Sequence, residues 1–311
     1  MMRECSREIL QEYQIRKTRR QKDAFIDYLS QRVKELGFEM IVEEGGYFKS
    51  RNLVAGDVDK AKVILGAHYD TCAQLPFPNF LTPKNIPVYL LFNLILLAVI
   101  FLLEFVLSFI LYSLTHDALI VSLGSLILCV ALIYMMLAGK PNKHTVNDNT
   151  SGVITLLEIM GELDEKMREQ VAFVFFDHEE IGLFGSMAFV KKHKKALEDK
   201  LLINFDCVSD GDHLMFILNK KAQAYASFFQ EAFKCENKEI IVTKASNTLY
   251  PSDQLNFKCS AGVAAFHKNK YIGYYISRIH TPKDLVMDEK NIEILKNGTM
   301  KLMTKLSDMV Q

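Results

Sequence analysis

The sequence predicts an α/β fold interrupted by a two-helix membrane hairpin, and three observations carry the prediction. Residues 171–176, VAFVFF, form an unbroken run of apolar, mostly β-branched or aromatic side chains, the pattern of a strand buried on both faces. The run stops at Asp177-His178-Glu179-Glu180, and beyond Gly182 and Gly185 residues 186–190 read as helix. Polar groups therefore stand in a strand-to-helix turn, where α/β sheets carry ligands. Other apolar runs also end in polar residues: 62–67 in His68-Tyr69-Asp70-Thr71, and 201–205 in Asp206. The third observation is a pair of long uncharged segments. Between Ile86 and Leu114 the only charged residue is Glu104, between Ala118 and Ala138 there is none, and Thr115-His116-Asp117 alone separates them.

Taken in order, residues 3–36 are polar and helix-forming, with Ile9, Tyr13, Phe25, Tyr28, Leu29, Val33 and Leu36 as a packing face over one side of the sheet. The cluster Arg16-Lys17-Thr18-Arg19-Arg20 reads as a solvated face, one that near a membrane can also meet anionic lipid. After Gly45-Gly46, segments 47–55 and 62–67 read as paired strands. Asn147-Asp148-Asn149-Thr150-Ser151-Gly152 is loop chemistry leading into a helix at 153–163, which displays Asp148 at the helix start; alone it would be a cap. Strands are expected at 201–205, 214–218, 240–243 and 262–266, with a helix between 220 and 233. Residues 271–279 lead to His280-Thr281-Pro282-Lys283-Asp284, and a helix over 289–309 packs Ile292, Leu295, Met300, Leu302 and Leu306 inward.

The two apolar runs define helices at about 86–114 and 118–138. At about 1.5 Å per residue each reaches roughly 30 Å or more, enough to cross a hydrocarbon core of about 30 Å. Neither has a polar face, which disfavours an amphipathic hairpin in water. Residues 84–139 are thus expected to be an inserted transmembrane hairpin, with 1–83 and 140–311 forming one domain. Lys84 precedes the hairpin and Lys140, Lys143 and His144 follow it, while the turn carries no Lys or Arg, so both ends and the flanking domain are assigned to the cytoplasmic side of the cell membrane. Glu104 inside a span is costly unless partnered and is expected to bond across the hairpin; Gly124 and Ser125, with Ser122, offer close helix contact.

The chain has 311 residues, half of them apolar, and 37 basic against 37 acidic side chains, so a nucleic-acid partner is not indicated. Its six cysteines, at 5, 72, 129, 207, 235 and 259, form no CxxC pair and read as reduced thiols, and the polar N-terminus is not a signal peptide.

Collected, the metal-type groups are His68, Asp148, Glu180, Asp206 and His280, with Glu179 beside one and Asp70 two residues past another. Two imidazoles and three carboxylates match the needs of two Zn²⁺ ions, one nitrogen and one terminal carboxylate each with a carboxylate shared. Such a pair lowers the pKa of a bridging water and polarises a carbonyl, and a free carboxylate nearby takes the proton. Sequence order alone does not assign these roles.

The segments HYDT, NDNTSG, FFDHEEIGLFGS, the Asp206 strand end and HTPKD, in this order, resemble the motif series of the co-catalytic di-zinc aminopeptidases of the bacterial leucyl type, whose relatives include glutaminyl cyclases and transferrin-receptor-like domains. The resemblance spans the chain except for the hairpin and implies a three-layer sandwich around a mixed, mostly parallel sheet. It also implies two Zn²⁺ or other divalent ions, one held by His68 and Asp206, the other by Glu180 and His280, with Asp148 bridging. Glu179 would be the general base for the metal-bridged water, and Asp70 would orient the His68 ring. The implied activity is hydrolysis of peptide bonds at a peptide or protein N-terminus, with the bilayer held through residues 86–138. A non-catalytic scaffold, or an amidase or cyclase on the same site, are the other classes. Gln254 stands where many relatives have histidine after Ser-Asp, and Tyr250 is a possible donor to the tetrahedral intermediate. Cys72 and Cys207 are expected to be buried structural thiols, His178 a satisfied histidine at the surface or behind the ligands, and His193 solvated, while His116 sits in the hairpin turn.

Overall fold

A computed structural model describes residues 2–236 and 238–308. The helix-forming N-terminal segment is built as two helices, α1 (Met2–Glu12) and α2 (Arg19–Glu35). The break has a local cause. Thr18 caps α2, accepting from the Gln21 amide at 3.4 Å, while the Gln21 side chain accepts from the Thr18 amide at 2.9 Å, a capping box that starts a new helix.

Strands β1 (Met40–Gly45), β2 (Ser50–Ala55) and β3 (Val63–His68) follow, then α3 (Ile86–Thr115), α4 (Ala118–Ala138), α5 (Ser151–Glu162), α6 (Glu165–Arg168), β4 (Val171–Phe176) and α7 (Phe184–Lys192). The chain continues through β5 (Leu201–Phe205), β6 (His213–Leu218), α8 (Ala226–Ala232), β7 (Glu239–Lys244), β8 (Ser260–Asn269), β9 (Gly273–Tyr275) and α9 (Glu289–Asp308). The final position of the expected last helix, Met309, lies outside the described residues.

The sheet runs β1-β2-β4-β3-β5-β8-β6-β7, with β9 pairing β8. Its centre, β4-β3-β5-β8, is parallel, and β1, β2 and β6 add antiparallel pairings. The expected pairing of 47–55 with 62–67 does not occur. β4 lies between β2 and β3, antiparallel to the first and parallel to the second, because its fully apolar run fits the doubly covered centre, whereas β1, with Ile41 and Val42 exposed, suits an edge.

Alternation along the strands makes three layers. Leu53, Leu65, Phe173, Phe175 and Ile203 pack against α1, α2, α5, α8 and α9, while Val54, Ile64, Val174, Phe176 and Leu202 pack on the opposite face against Phe189 of α7 and Phe257. Helices α3 and α4 pack along one another, bury no residue, and are long and apolar enough to cross a membrane. At their contact a Cβ on Gly124 would lie 2.3 Å from the Leu111 side chain, so the glycine sets the close approach. Glu104 accepts from Ser108 of its own helix at 3.2 Å, and Ser108 in turn lies 3.4 Å from Ser125 of α4. The expected bond across the hairpin is therefore relayed through a serine rather than direct.

Candidate metal centre

The candidate residues converge where the parallel strands end. His68 closes β3, Glu179 and Glu180 follow β4, and Asp206 follows β5. Asp148 comes from the turn before α5, which is stapled to the end of β5. Asn147 Oδ1 accepts from the Ser209 and Asp210 amides at 2.8 and 2.9 Å, while Asn149 donates to the Phe205 carbonyl at 2.9 Å and accepts from the Cys207 and Gly152 amides at 3.2 and 3.0 Å. Between them the Asp148 and Asn147 amides donate to Asp284, at 3.0 and 2.7 Å. Gly152 is required by this closeness, since a Cβ there would stand 2.3 Å from the Phe205 carbonyl oxygen. His178, Leu183, Cys207 and His280 all hold positive φ, near +54° to +63°, a costly conformation for non-glycine residues that the surrounding bonds impose around the site.

The resulting geometry is compact. Asp148 Oδ1 lies 3.3 Å from His68 Nε2 and its Oδ2 lies 3.1 Å from His280 Nε2, so one carboxylate faces both imidazoles. His68 Nε2 is 3.5 Å from Asp206 Oδ1, and His280 Nε2 is 3.2 Å from Glu180 Oε2. Ligand-type atoms of His68, Glu179 and Asp206, and of His68, Asp148 and Glu180, lie within 4.8 Å of one another. Asp70 is at 3.5 Å from His68 Nδ1 and also accepts from the Glu179 and Glu180 amides at 3.1 and 3.4 Å, so it ties the histidine to the acidic turn. Among the described residues His68 Nε2, Glu180 Oε1 and Asp206 Oδ1 are buried without a hydrogen-bond partner. Orphaned groups of this kind, one imidazole nitrogen and two carboxylate oxygens in a cluster with a second imidazole, fit cations.

Electrostatics agree. Burial pushes the Glu179 and Glu180 carboxyls up, Glu179 well above its ordinary range, with neighbouring carboxylates adding to the effect. Burial would raise Asp148 too, but His280 and His68 outweigh it and hold it low. Both imidazoles are raised well above their usual value: burial works against this, and the facing carboxylates overcome it. Burial also pushes Asp253 and Asp284 up to about 7.

Several supporting residues escaped the sequence reading. Arg16, expected in a solvated cluster, is fully buried: it donates to the Tyr69 carbonyl at 2.5 Å and to Thr150 at 3.1 Å, joining the loops of His68 and Asp148. Lys17 donates to the Leu137 carbonyl at 2.7 Å. Lys22 is buried against Asp177, whose other oxygen accepts from the Arg51 amide at 3.0 Å, which anchors the acidic turn from below. His193 is not solvated either; it meets Glu43 at 2.9 Å and stacks near Phe189. Spacing gives no signal for these, because their partners lie far away in the chain. Tyr250 donates to the Asp206 carbonyl at 2.9 Å, so its hydroxyl is engaged in positioning a ligand loop. Gln254 is buried between Asn204 and the Tyr250 carbonyl. His178 meets Ser50 at 2.9 Å. Cys72 and Cys207 are buried free thiols, each close enough to carboxylates of the site to join a ligand group.

Two clefts meet at Glu180. One, of about 250 Å³, is lined by Asp148, Glu179, Asp206, His280, Tyr250 and Tyr89 of α3. The other, of about 370 Å³, lies between Lys17, Asp70, Ile181 and Leu137 at the end of α4.

The fold is shared with solved structures of low identity. The Parabacteroides distasonis Zn-dependent exopeptidase is similar at 16% identity and a TM-score of 0.58, covering 93% of this chain and 91% of its own. Porphyromonas gingivalis glutaminyl cyclase is similar at 14% identity and a TM-score of 0.60, covering 97% and 98%. The Legionella pneumophila LapA aminopeptidase is similar at 12% identity and a TM-score of 0.58, covering 98% and 70%. No curated protein matches the sequence. The family model of peptidase family M28 matches residues 135–303, more than half of the chain, including four of the five candidate ligands. The chain belongs to peptidase family M28 and is a metal-dependent hydrolase.

Proposed function

We propose that the protein is a membrane-anchored zinc aminopeptidase that removes residues from free N-termini. In this reading His68 and Asp206 hold one Zn²⁺, Glu180 and His280 a second, and Asp148 serves both. The observation that carries it is the single Asp148 carboxylate facing two imidazoles at 3.3 and 3.1 Å, each imidazole with its own further carboxylate. Zinc in such a site supplies Lewis acidity toward a peptide carbonyl and toward water. The chain's own residues supply the rest. Glu179, buried beside Glu180, is the carboxylate assigned to accept a proton from the attacking water and return it to the leaving amine. Asp70 fixes the His68 ring and, through the two amides it accepts, the position of Glu179.

Residues 84–139 serve as the membrane insert of a domain made from 1–83 and 140–311. The lysines at its feet, against none in its turn, favour a cytoplasmic catalytic domain. The test is turnover of amino-acid amides and of matched N-blocked peptides by the purified protein. Cleavage restricted to free amines, lost to a chelator and restored by zinc, is expected. Equal cleavage of blocked peptides, or cyclised product from N-terminal glutamine in place of a released residue, would overturn the aminopeptidase reading.

A further inference from the structure

The two helices of the hairpin differ in length, and the difference falls beside the catalytic cleft. α3 has 30 residues and α4 has 21, and the link between them is two residues long, so their far ends are level and α3 continues nine residues past the end of α4. At about 1.5 Å per residue, α4 spans roughly 31 Å, the thickness of a hydrocarbon core, and α3 about 45 Å. Tilting does not remove the mismatch. To fit α3 into 30 Å would take a tilt of about 50°, beyond the roughly 0–40° that spanning helices adopt, and would leave its packed partner too short. On the membrane-anchored reading, with α4 filling the hydrocarbon core, the first nine residues of α3, 86–94, fall in the interfacial layer, about 13 Å of mostly apolar helix between the hydrocarbon edge and the enzyme.

Three observations fix what this segment faces. On one side Tyr89 lines the catalytic cleft with Glu179 and His280, and Phe92 packs on Phe80 at 5.0 Å. On the adjoining face, by helical spacing, the row Ile86, Leu90 and Leu94 is 46%, 53% and 60% exposed. At the foot, Asn85 donates to the Ile272 carbonyl at 3.1 Å, which brings the β8–β9 turn alongside with Lys268, Lys270 and the 78% exposed Tyr271. Lys84 and Lys268 both lie over Tyr274, at 5.7 and 5.0 Å. Lysines and tyrosines grouped in this way are the composition of a membrane–water boundary. The feet are also tied to the site by backbone hydrogen bonds: the Leu75 amide donates to the His280 carbonyl at 2.8 Å, and beyond α4 the Asn142 amide donates to the Cys72 carbonyl at 3.2 Å.

We propose that residues 86–94 of α3 form a substrate-binding ramp, and that the substrates are peptides or proteins inserted in the same bilayer whose free N-terminus lies within a few residues of their apolar segment. Apolar side chains of the substrate lie along Leu90 and Leu94 and pass Tyr89 into the cleft, so bilayer and cleft form one continuous surface. The inference rests on the aminopeptidase reading and names its substrate class.

The experiment uses the full-length zinc-loaded protein in lipid nanodiscs and three peptides with the same N-terminal residues: one soluble, one with an apolar membrane-inserting tail three residues on, and one with the same tail after a polar spacer of about 20 residues. Colocalisation in one bilayer raises kcat/KM of both tailed peptides, and the ramp adds a further preference of at least about tenfold for the short spacer. Leu90→Ser with Leu94→Ser is expected to bring the short-to-long ratio close to one. Equal turnover of short- and long-spacer peptides by the unaltered protein would overturn the ramp while leaving the aminopeptidase reading intact, and so would an unchanged ratio in the double variant. Failure to cleave any of the three peptides would overturn both.

Discussion

Glu179 and Asp148 are both buried carboxyls of the candidate site, and their surroundings separate them. Glu179 is raised by burial and by the carboxylates of Asp206, Asp253 and Glu180, whereas Asp148 is held low by two imidazoles. Glu179→Gln is therefore expected to keep its zinc and lose about 10²- to 10⁴-fold in kcat, with metal content and turnover measured on the same sample. Zinc retained with turnover unchanged would remove Glu179 from the proton-transfer role. The imidazoles give a pH prediction. In the metal-free protein burial works against the charged form of His68 and His280 but the facing carboxylates overcome it and hold both pKa values up, so protons compete with metal for these candidate ligand nitrogens more strongly than at a free imidazole. Metal uptake releases them, and zinc affinity measured by chelator competition should rise from pH 6 to pH 8; a flat profile would count against these ligands. Arg16 carries a stability prediction. Arg16→Met leaves the acceptors at Tyr69, Tyr13 and Thr150 unpaired and should cost roughly 3 kcal/mol or more, read as a lowered midpoint of thermal or denaturant unfolding. The five candidate ligands could be singled out in the sequence because each ends an apolar run or sits in a motif. Arg16, Lys22 and Asp284 could not, because their roles come from partners more than a hundred residues away or from burial that composition does not announce.

At the scale of elements, the turn between β4 and α7 is the most constrained. Gly185 opens α7 so close to the strand end that a Cβ would sit 2.0 Å from the Asp177 carbonyl oxygen and 2.6 Å from Asn52. Because the obstacle is backbone, Gly185→Ala should displace the Glu179–Glu180 turn, costing about 3 kcal/mol and weakening zinc binding together with stability. Wild-type affinity in that variant would mean that the turn is not coupled to α7. The existence of β3, β4 and β5 was legible from runs of apolar residues, but their order was not. Periodicity identifies a strand buried on both faces without saying which neighbours bury it, and β4 enters between β2 and β3 although just over a hundred residues of chain, the whole hairpin included, lie between β3 and β4.

At the scale of the molecule, the hairpin and the catalytic fold share their loops. The segments leading into α3 and out of α4 bond to the carbonyls of His280 and Cys72, so the insert is anchored on the backbone that carries the site. Replacing residues 86–138 by a short flexible linker should move the protein from the membrane to the soluble fraction with zinc still bound, since no ligand lies in the excised segment; membrane retention after excision would refute the anchor. What the sequence determined by itself was chemistry and solvent: which side chains can bind metal, which runs must leave water, and that two helices are long enough to cross a bilayer. These follow from composition and period. The tertiary structure decided which carboxylate faces both imidazoles, which basic residues are buried beneath the site, and that the root of α3 lines the cleft, because such relations depend on distances between parts of the chain that no local pattern records.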